Sequence, residues 1–367
     1  MKKVLFTATV DSHILQFHIP YLKMFKEKGY EVHVATNGTE EIPYCDIKHV
    51  ISFERSPIKI NNLKAIKNLK KIIDKENFDI VHCHTPMGSV VTRLAAKKAR
   101  KKRTRVIYTA HGFHFFKGAP IFNWIIYYPI ENWLSKYTDC LITINQEDYD
   151  IAKRKFKAKQ IELVHGVGLD TSRLERDISQ DEKIRIRKNL DINENDIVCS
   201  YVAELNKNKN QLLLINSIKE LKEEVHNIKL LLIGEGNLFN EYKRIIEENN
   251  LENSIKLLGR REDINELISI TDIYLASSLR EGLPVNIMEV MYKGIPIIAT
   301  NNRGHRELIK NNKCGFIIEN KEELIEKIYI ILNNKDSRNN LTENEKDNVK
   351  KYLIENTIKE LSKIYNF

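Results

Sequence analysis

The segment Ser277-Ser278-Leu279-Arg280-Glu281-Gly282-Leu283-Pro284-Val285-Asn286-Ile287-Met288-Glu289 holds the densest chemistry in the chain. It follows an apolar run of strand length and opens a helical pattern. Gly282 lets the backbone approach a ligand closely, and Pro284 suits a first helical turn. Unsatisfied N–H groups at such a helix start, together with the helix dipole, favour a phosphate. Glu281 falls in the loop, and Glu289 lies about a turn and a half into the helix. Carboxylates so placed are natural acceptors for ribose and sugar hydroxyls. Two solvated glutamates on a capped helix would give the same string, so the segment alone leaves both readings open.

The elements that must position these residues alternate along the chain. Strand-length apolar runs occur at 4–10, 30–35, 80–83, 105–110, 140–144 and 161–164, with helical spacing between several of them, as at 14–28 and 63–75. After Gly166-Val167-Gly168 comes a charged stretch, 174–195, and the rhythm then restarts. Strands are expected at 197–203, 228–233, 255–258, 273–276, 295–299 and 316–318, and helices at 211–221, 238–249 and 285–293. A repeated β-α-β rhythm predicts parallel sheets covered by helices on both faces. The expected fold class is therefore α/β, with one Rossmann-like domain over 1–165 and a second over 166–349. The tail 347–367 is amphipathic and helical, and 350–367 is expected to pack back on the first domain. Ligands of open α/β sheets bind at the carboxyl ends of strands, so the chemistry belongs in the loops after them.

Composition narrows the class. The 367 residues are 42% apolar and 30% charged, as in an ordinary globular chain, and no apolar run approaches the roughly 20 residues that cross a bilayer. The lysines at the start precede an apolar run of strand length that ends at Asp11, which reads as a first strand rather than a signal peptide. Five scattered cysteines without a C-x-x-C pair argue against a disulfide framework and structural zinc, and fit a reducing cytoplasm. The net charge of +9 is uneven: residues 1–165 hold 28 Lys+Arg against 16 Asp+Glu, the rest 31 against 34. The first half is therefore expected to meet something anionic.

In combination, the Glu281-x7-Glu289 spacing within Glu-Gly-Leu-Pro, Gly294-Ile295-Pro296 after it, Gly234-Glu235-Gly236 and Thr109-Ala110-His111-Gly112 resemble one family. It is the large retaining glycosyltransferase family four of GT-B fold, in which two Rossmann-like domains face each other across a cleft. The resemblance covers nearly the whole chain and is nearest to bacterial enzymes of capsule and exopolysaccharide assembly. It implies that Glu281 contacts the donor sugar and Glu289 the ribose, with Gly234, Gly282, Leu283, Val285 and Asn286 lining the donor pocket. Lys209 matches the lysine that neutralises the diphosphate leaving group, and His111 the histidine that reaches the donor sugar. Glu204 stands where most relatives carry an arginine, so a positive charge is missing unless Lys207 or Arg280 supplies it. The first loop also departs from the glycine pair common in the family. There Asp11 and His13 either orient an acceptor hydroxyl or cap the following helix.

The implied reaction moves a hexose or N-acetylhexosamine from a nucleotide diphosphate sugar, with UDP expected by resemblance, to a polyprenyl-diphosphate-linked saccharide. No cofactor or metal is expected. His82 and His84 alternate on a strand and could point one way, but without a carboxylate partner they are not read as ligands. Asp148-Tyr149-Asp150 is expected on a solvated helix face. Seven cations in the nine residues 97–105, with the aromatic run 113–128, predict a cytoplasmic protein peripheral on an anionic membrane. A nucleotide-sugar 2-epimerase of GT-B fold is the second reading. A basic nucleic-acid-binding protein is a third, but the chain carries no recognised signature for that role.

Overall fold

The computed structural model describes residues 1–56, 59–309 and 313–367. The chain divides into two compact units, Met1–Gly168 with Ile354–Phe367, and Leu169–Leu353.

The first unit is built on seven parallel strands: β1 (Lys3–Val10), β2 (Glu31–Asn37), β3 (Ile47–Val50), β4 (Ile80–Cys83), β5 (Arg105–Ala110), β6 (Cys140–Thr143) and β7 (Gln160–Leu163). Their order is β3-β2-β1-β4-β5-β6-β7, so the sheet reverses direction of growth between β1 and β4. The inner strands are buried along most of their length because helices cover both faces: Phe6, Phe25 and Leu361 belong to one core cluster, Leu5, Leu69 and Phe78 to another. β3 was not expected. Ile-Lys-His-Val is a partly exposed edge strand with no apolar run to announce it.

The helix expected at 14–28 is two helices, Asp11–Phe17 and Ile19–Glu27, meeting at His18. Pro20 lies in the first turn of the second helix. With no N–H and a ring that crowds the carbonyl four residues back, it cannot continue the first. The tail is also divided. Lys335–Val349 is a helix of the second unit, and after a short 3-10 turn the helix Ile354–Tyr365 belongs to the first. There Glu360 accepts from the backbone and ring of His165 at 2.9 and 2.6 Å, and the Tyr365 hydroxyl meets His82 Nδ1 at 2.7 Å.

The second unit holds β8 (Ile197–Val202), β9 (Ile228–Ile233), β10 (Ile255–Gly259), β11 (Ile273–Ala276), β12 (Ile297–Thr300) and β13 (Phe316–Ile318). They are parallel in the order β10-β9-β8-β11-β12-β13, with the reversal between β8 and β11. The charged stretch 174–195 contains the helix Gln180–Asn189, opened by a Ser179–Glu182 capping box; no side chain of that helix is fully buried, which is why its sequence is mostly charged.

Candidate active site

A parallel sheet opens its crevice where strand order reverses, at the carboxyl ends of the strands on either side. In the second unit those strands are β8 and β11, and the loops that leave them are 203–210 and 277–284. Lys209 Nζ lies 2.5 Å from Glu281 Oε1, both side chains partly exposed. Ser278 Oγ donates to the same oxygen at 2.6 Å and lies 2.6 Å from the Tyr201 hydroxyl. The two loops are tied by their backbones as well: Leu279 N–H donates to Asn208 O, and Asn208 Nδ2 to Arg280 O.

A second clamp comes from the end of β12. Thr300 Oγ1 and Asn302 Nδ2 both donate to Ser278 O, at 2.6 and 2.8 Å, and the buried Arg303 donates through Nε to Glu281 O at 3.2 Å. Gly304 has no room for a side chain, since a Cβ there would lie 2.7 Å from Glu281 Cβ. Burial pushes the neighbouring His305 down to about 4. Ser278, Tyr201, Asn302 and Arg303 were not found from the sequence. Their two local signals are a polar pair, Ser277-Ser278, after an apolar strand, and an Asn N-cap after β12.

Gly234 ends β9 with φ +143°, and a Cβ there would stand 2.1 Å from Ala203 O. The glycine thus lets the loop after β9 lie against the loop that bears Lys209. The helix Val285–Lys293 starts at Pro284 without a side-chain cap, leaving first-turn donors for an anion. The Asn286 side chain turns inward, donating to Val202 O and the Tyr274 hydroxyl and accepting from the Ile287 N–H. Glu289 is buried and receives the Arg173 guanidinium; the two glutamates of the motif therefore answer to different cations. Glu204, Lys207 and Arg280 are exposed.

In the first unit the reversal lies between β1 and β4. Thr85, directly after β4, has φ +61° and ψ 148°, a costly conformation for a β-branched residue. Its hydroxyl holds it there, accepting from Thr9 N–H at 3.0 Å and lying 2.7 Å from Thr9 Oγ1. A cavity of about 460 Å³ opens beside this point, lined by Val10, His13, Phe17, Thr85, Gly112 and Phe115 among others. His13 Nε2 and His111 Nε2 lie 3.3 Å apart, and His84 Nδ1 is 3.3 Å from the same His111 nitrogen. Burial holds His13 down to about 4 and His18, His84 and His111 well below the usual imidazole value.

Two expectations change here. Asp11 neither caps its helix nor faces the cavity: its buried carboxylate accepts from Thr36, the Glu40 N–H and Lys48 at 2.5, 2.9 and 2.8 Å. Burial alone would lift its pKa, but those three donors hold it below the usual carboxylate value. Asp148 is buried rather than solvated, because its carboxylate accepts from Phe113 N–H and Asn145 Nδ2. His82 is tied within the fold through both nitrogens, to Thr109 and Tyr365.

Two Rossmann-like units in one chain define the GT-B architecture, and the similarities agree. Residues 182–348 match the family described as glycosyl transferases group 1, and residues 3–145 the one described as glycosyl transferase 4-like. The chain belongs to this glycosyltransferase family. It is 49% identical over 319 residues to EpsD of Bacillus subtilis, a protein named as a glycosyltransferase, covering 87% of this chain and 84% of that one. It is 30% identical over 265 residues to an Escherichia coli UDP-Gal:alpha-D-GlcNAc-diphosphoundecaprenol alpha-1,3-galactosyltransferase, covering 71% and 67% of the two chains. Anabaena HepE, solved with UDP and glucose, shares the fold at a TM-score of 0.80 and 18% identity, with both chains fully covered.

Proposed function

We propose that this glycosyltransferase moves a sugar, with retention, from a UDP-sugar to a polyprenyl-diphosphate-linked saccharide in capsule or exopolysaccharide assembly. The observation that carries the reading is the Lys209–Glu281 pair at the strand-order reversal of the second unit. It presents a cation and a sugar-hydroxyl acceptor side by side, next to an uncapped helix start. The E. coli relative, which uses UDP-Gal and a diphosphoundecaprenol-linked acceptor, supports the donor and acceptor classes.

An ammonium has three N–H donors, of which Glu281 engages one. In the proposed step the acceptor hydroxyl oxygen bonds to the anomeric carbon on the face that the diphosphate leaves. The carbon–oxygen bond to the diphosphate breaks, and the hydroxyl proton passes to the departing diphosphate oxygen. Positive charge already in place at the leaving group is the largest catalytic contribution such a site offers. Glu281 holds the donor sugar, Glu289 the ribose, His111 reaches the donor sugar and His13 serves the acceptor side. The step needs no metal, so chelator should leave turnover unchanged; loss restored by magnesium or manganese would overturn that.

Peripheral membrane docking is part of the same proposal. The helix Ile121–Ser135 exposes Ile121, Phe122, Ile125, Pro129 and Trp133, which share one face by their near-fourfold spacing. Of the cationic cluster, Arg100 pairs with Asp139 and Arg105 bonds Ile364 O, while Lys98, Lys101 and Lys102 are exposed. Among the described residues no helix is long and apolar enough to cross a membrane.

The deciding experiment incubates the protein with UDP-sugars, with and without a polyprenyl-diphosphate-linked acceptor, and follows UDP release and the anomeric configuration of the product. Acceptor-dependent release with retained configuration is expected. Isomerised nucleotide sugar in the absence of acceptor would favour the epimerase.

A further inference from the structure

Four histidines from three segments converge in the first unit. His13 and His18 come from the first helix and its end, His84 from the end of β4, and His111 from the end of β5. One ring nitrogen from each lies within 4.8 Å of the other three. Only the strand order, with β1 beside β4 and β4 beside β5, brings them together.

Hydrogen bonding among the rings does not account for this packing. The links His13 Nε2–His111 Nε2 and His84 Nδ1–His111 Nε2 are both 3.3 Å, at the long edge for a hydrogen bond. The Nε2 atom of His18 is buried without a protein partner, although unsatisfied buried polar atoms are costly. A tetrahedral ion with metal–nitrogen bonds of about 2.0–2.1 Å sets its ligand nitrogens about 3.3–3.4 Å apart. The two linked pairs already stand at that spacing.

The geometry points to a binding site for a first-row transition metal, Zn²⁺, held by His13, His18, His84 and His111. Imidazole nitrogen suits zinc and its neighbours, whereas magnesium and calcium require oxygen ligands. His13 also lines the 460 Å³ cavity, which gives an ion a route in. Occupancy would engage the Nε2 atoms of His13 and His111. If His111 serves the donor sugar and His13 the acceptor, as proposed above, bound zinc inhibits transfer while the transfer itself uses no metal. The site rests on geometry alone; only the inhibition rests on the functional reading.

A second group, Glu31, His33 and Glu76, also has metal-like spacing. Its carboxylates already pair with Lys3, however, at 3.0 and 2.8 Å, so it serves as the internal control.

Tag-free protein, stripped with chelator and exchanged into plain buffer, would be dialysed to equilibrium against Zn²⁺. Co²⁺ would be titrated in parallel for the visible absorption of a tetrahedral nitrogen site. Binding of about one ion per chain is expected, weakened about tenfold or more in His18→Gln and unchanged in His33→Gln. His13→Gln, at a half-buried position, provides the same comparison if His18→Gln fails to fold by circular dichroism. Absence of saturable binding by the unmodified chain, or loss in His33→Gln alone, would overturn the site. Saturable binding with unimpaired turnover would leave the site standing and overturn the inhibition.

Discussion

At the scale of single residues, the donor side depends on a short chain of contacts from Tyr201 through Ser278 to Glu281 and Lys209. Lys209→Ala and Glu281→Ala should each lower turnover on the order of a hundredfold or more, as loss of preorganised charge does. Circular dichroism should not change, because both side chains are partly exposed. Near-normal rates in either variant would remove that residue from the mechanism. Ser278→Ala should act more mildly, by releasing Glu281 from its anchor, and should be rescued in part by Ser278→Thr. Lys209 and Glu281 were legible in the sequence because motif and spacing mark them. Ser278, Asn302 and Arg303 were not, since their importance lies in which strand neighbours which. The grouping of the four histidines was hidden for the same reason: His13 and His111 were singled out separately, and in the adjacent pair His82 and His84, His82 proves to be structural.

Among the elements, two helices carry predictions. In Lys335–Val349, Glu345 is fully buried, and burial pushes its carboxyl well above the ordinary 4.5. The unfolded chain then gives up this proton more readily than the folded one. Stability is therefore lost as pH rises above 4.5 toward the folded value. Glu345→Gln should raise the melting temperature, and more at about pH 8 than at about pH 5; an equal gain at both would contradict the assignment. The helix Pro86–Lys102, which ends in the cationic cluster, is the other. Replacing Lys98, Lys101 and Lys102 with Ala should reduce co-sedimentation with anionic vesicles at low salt, since each such cation contributes about 1 kcal/mol. Nucleotide binding should be unaffected, and salt-insensitive, equal sedimentation of the two proteins would end the electrostatic part of the claim. The long buried strands were readable as apolar runs. The edge strand β3 and the break at His18 were not, because one lacks a buried face and the other turns on a single proline within a continuous helical pattern.

For the molecule as a whole, the burial of histidines is uneven. His13, His18, His82, His84 and His111 of the first unit are held below the ordinary 6.5, against His305 in the second. A buried imidazole kept neutral binds its proton only after unfolding, so stability is lost as pH falls from 6.5 toward about 4. The first unit should therefore lose hydrogen-exchange protection before the second on acidification, after correction for intrinsic exchange. Equal loss in both would show that carboxylates rather than histidines govern the acid response.

The return of the Ile354–Tyr365 helix to the first unit also has a consequence for how the chain is made. The second unit is one uninterrupted stretch, Leu169–Leu353, and can close as soon as it clears the ribosome. The first unit emerges earlier yet waits, with the faces of Phe25 and His82 that Tyr365 covers still open, until its neighbour has been synthesised. Of the two units, the one that emerges first is thus completed last, and the nascent chain exposes this aromatic surface until residues 354–365 appear. Chaperone capture during translation should therefore begin before residue 169 and end only when residues 354–365 are free to dock.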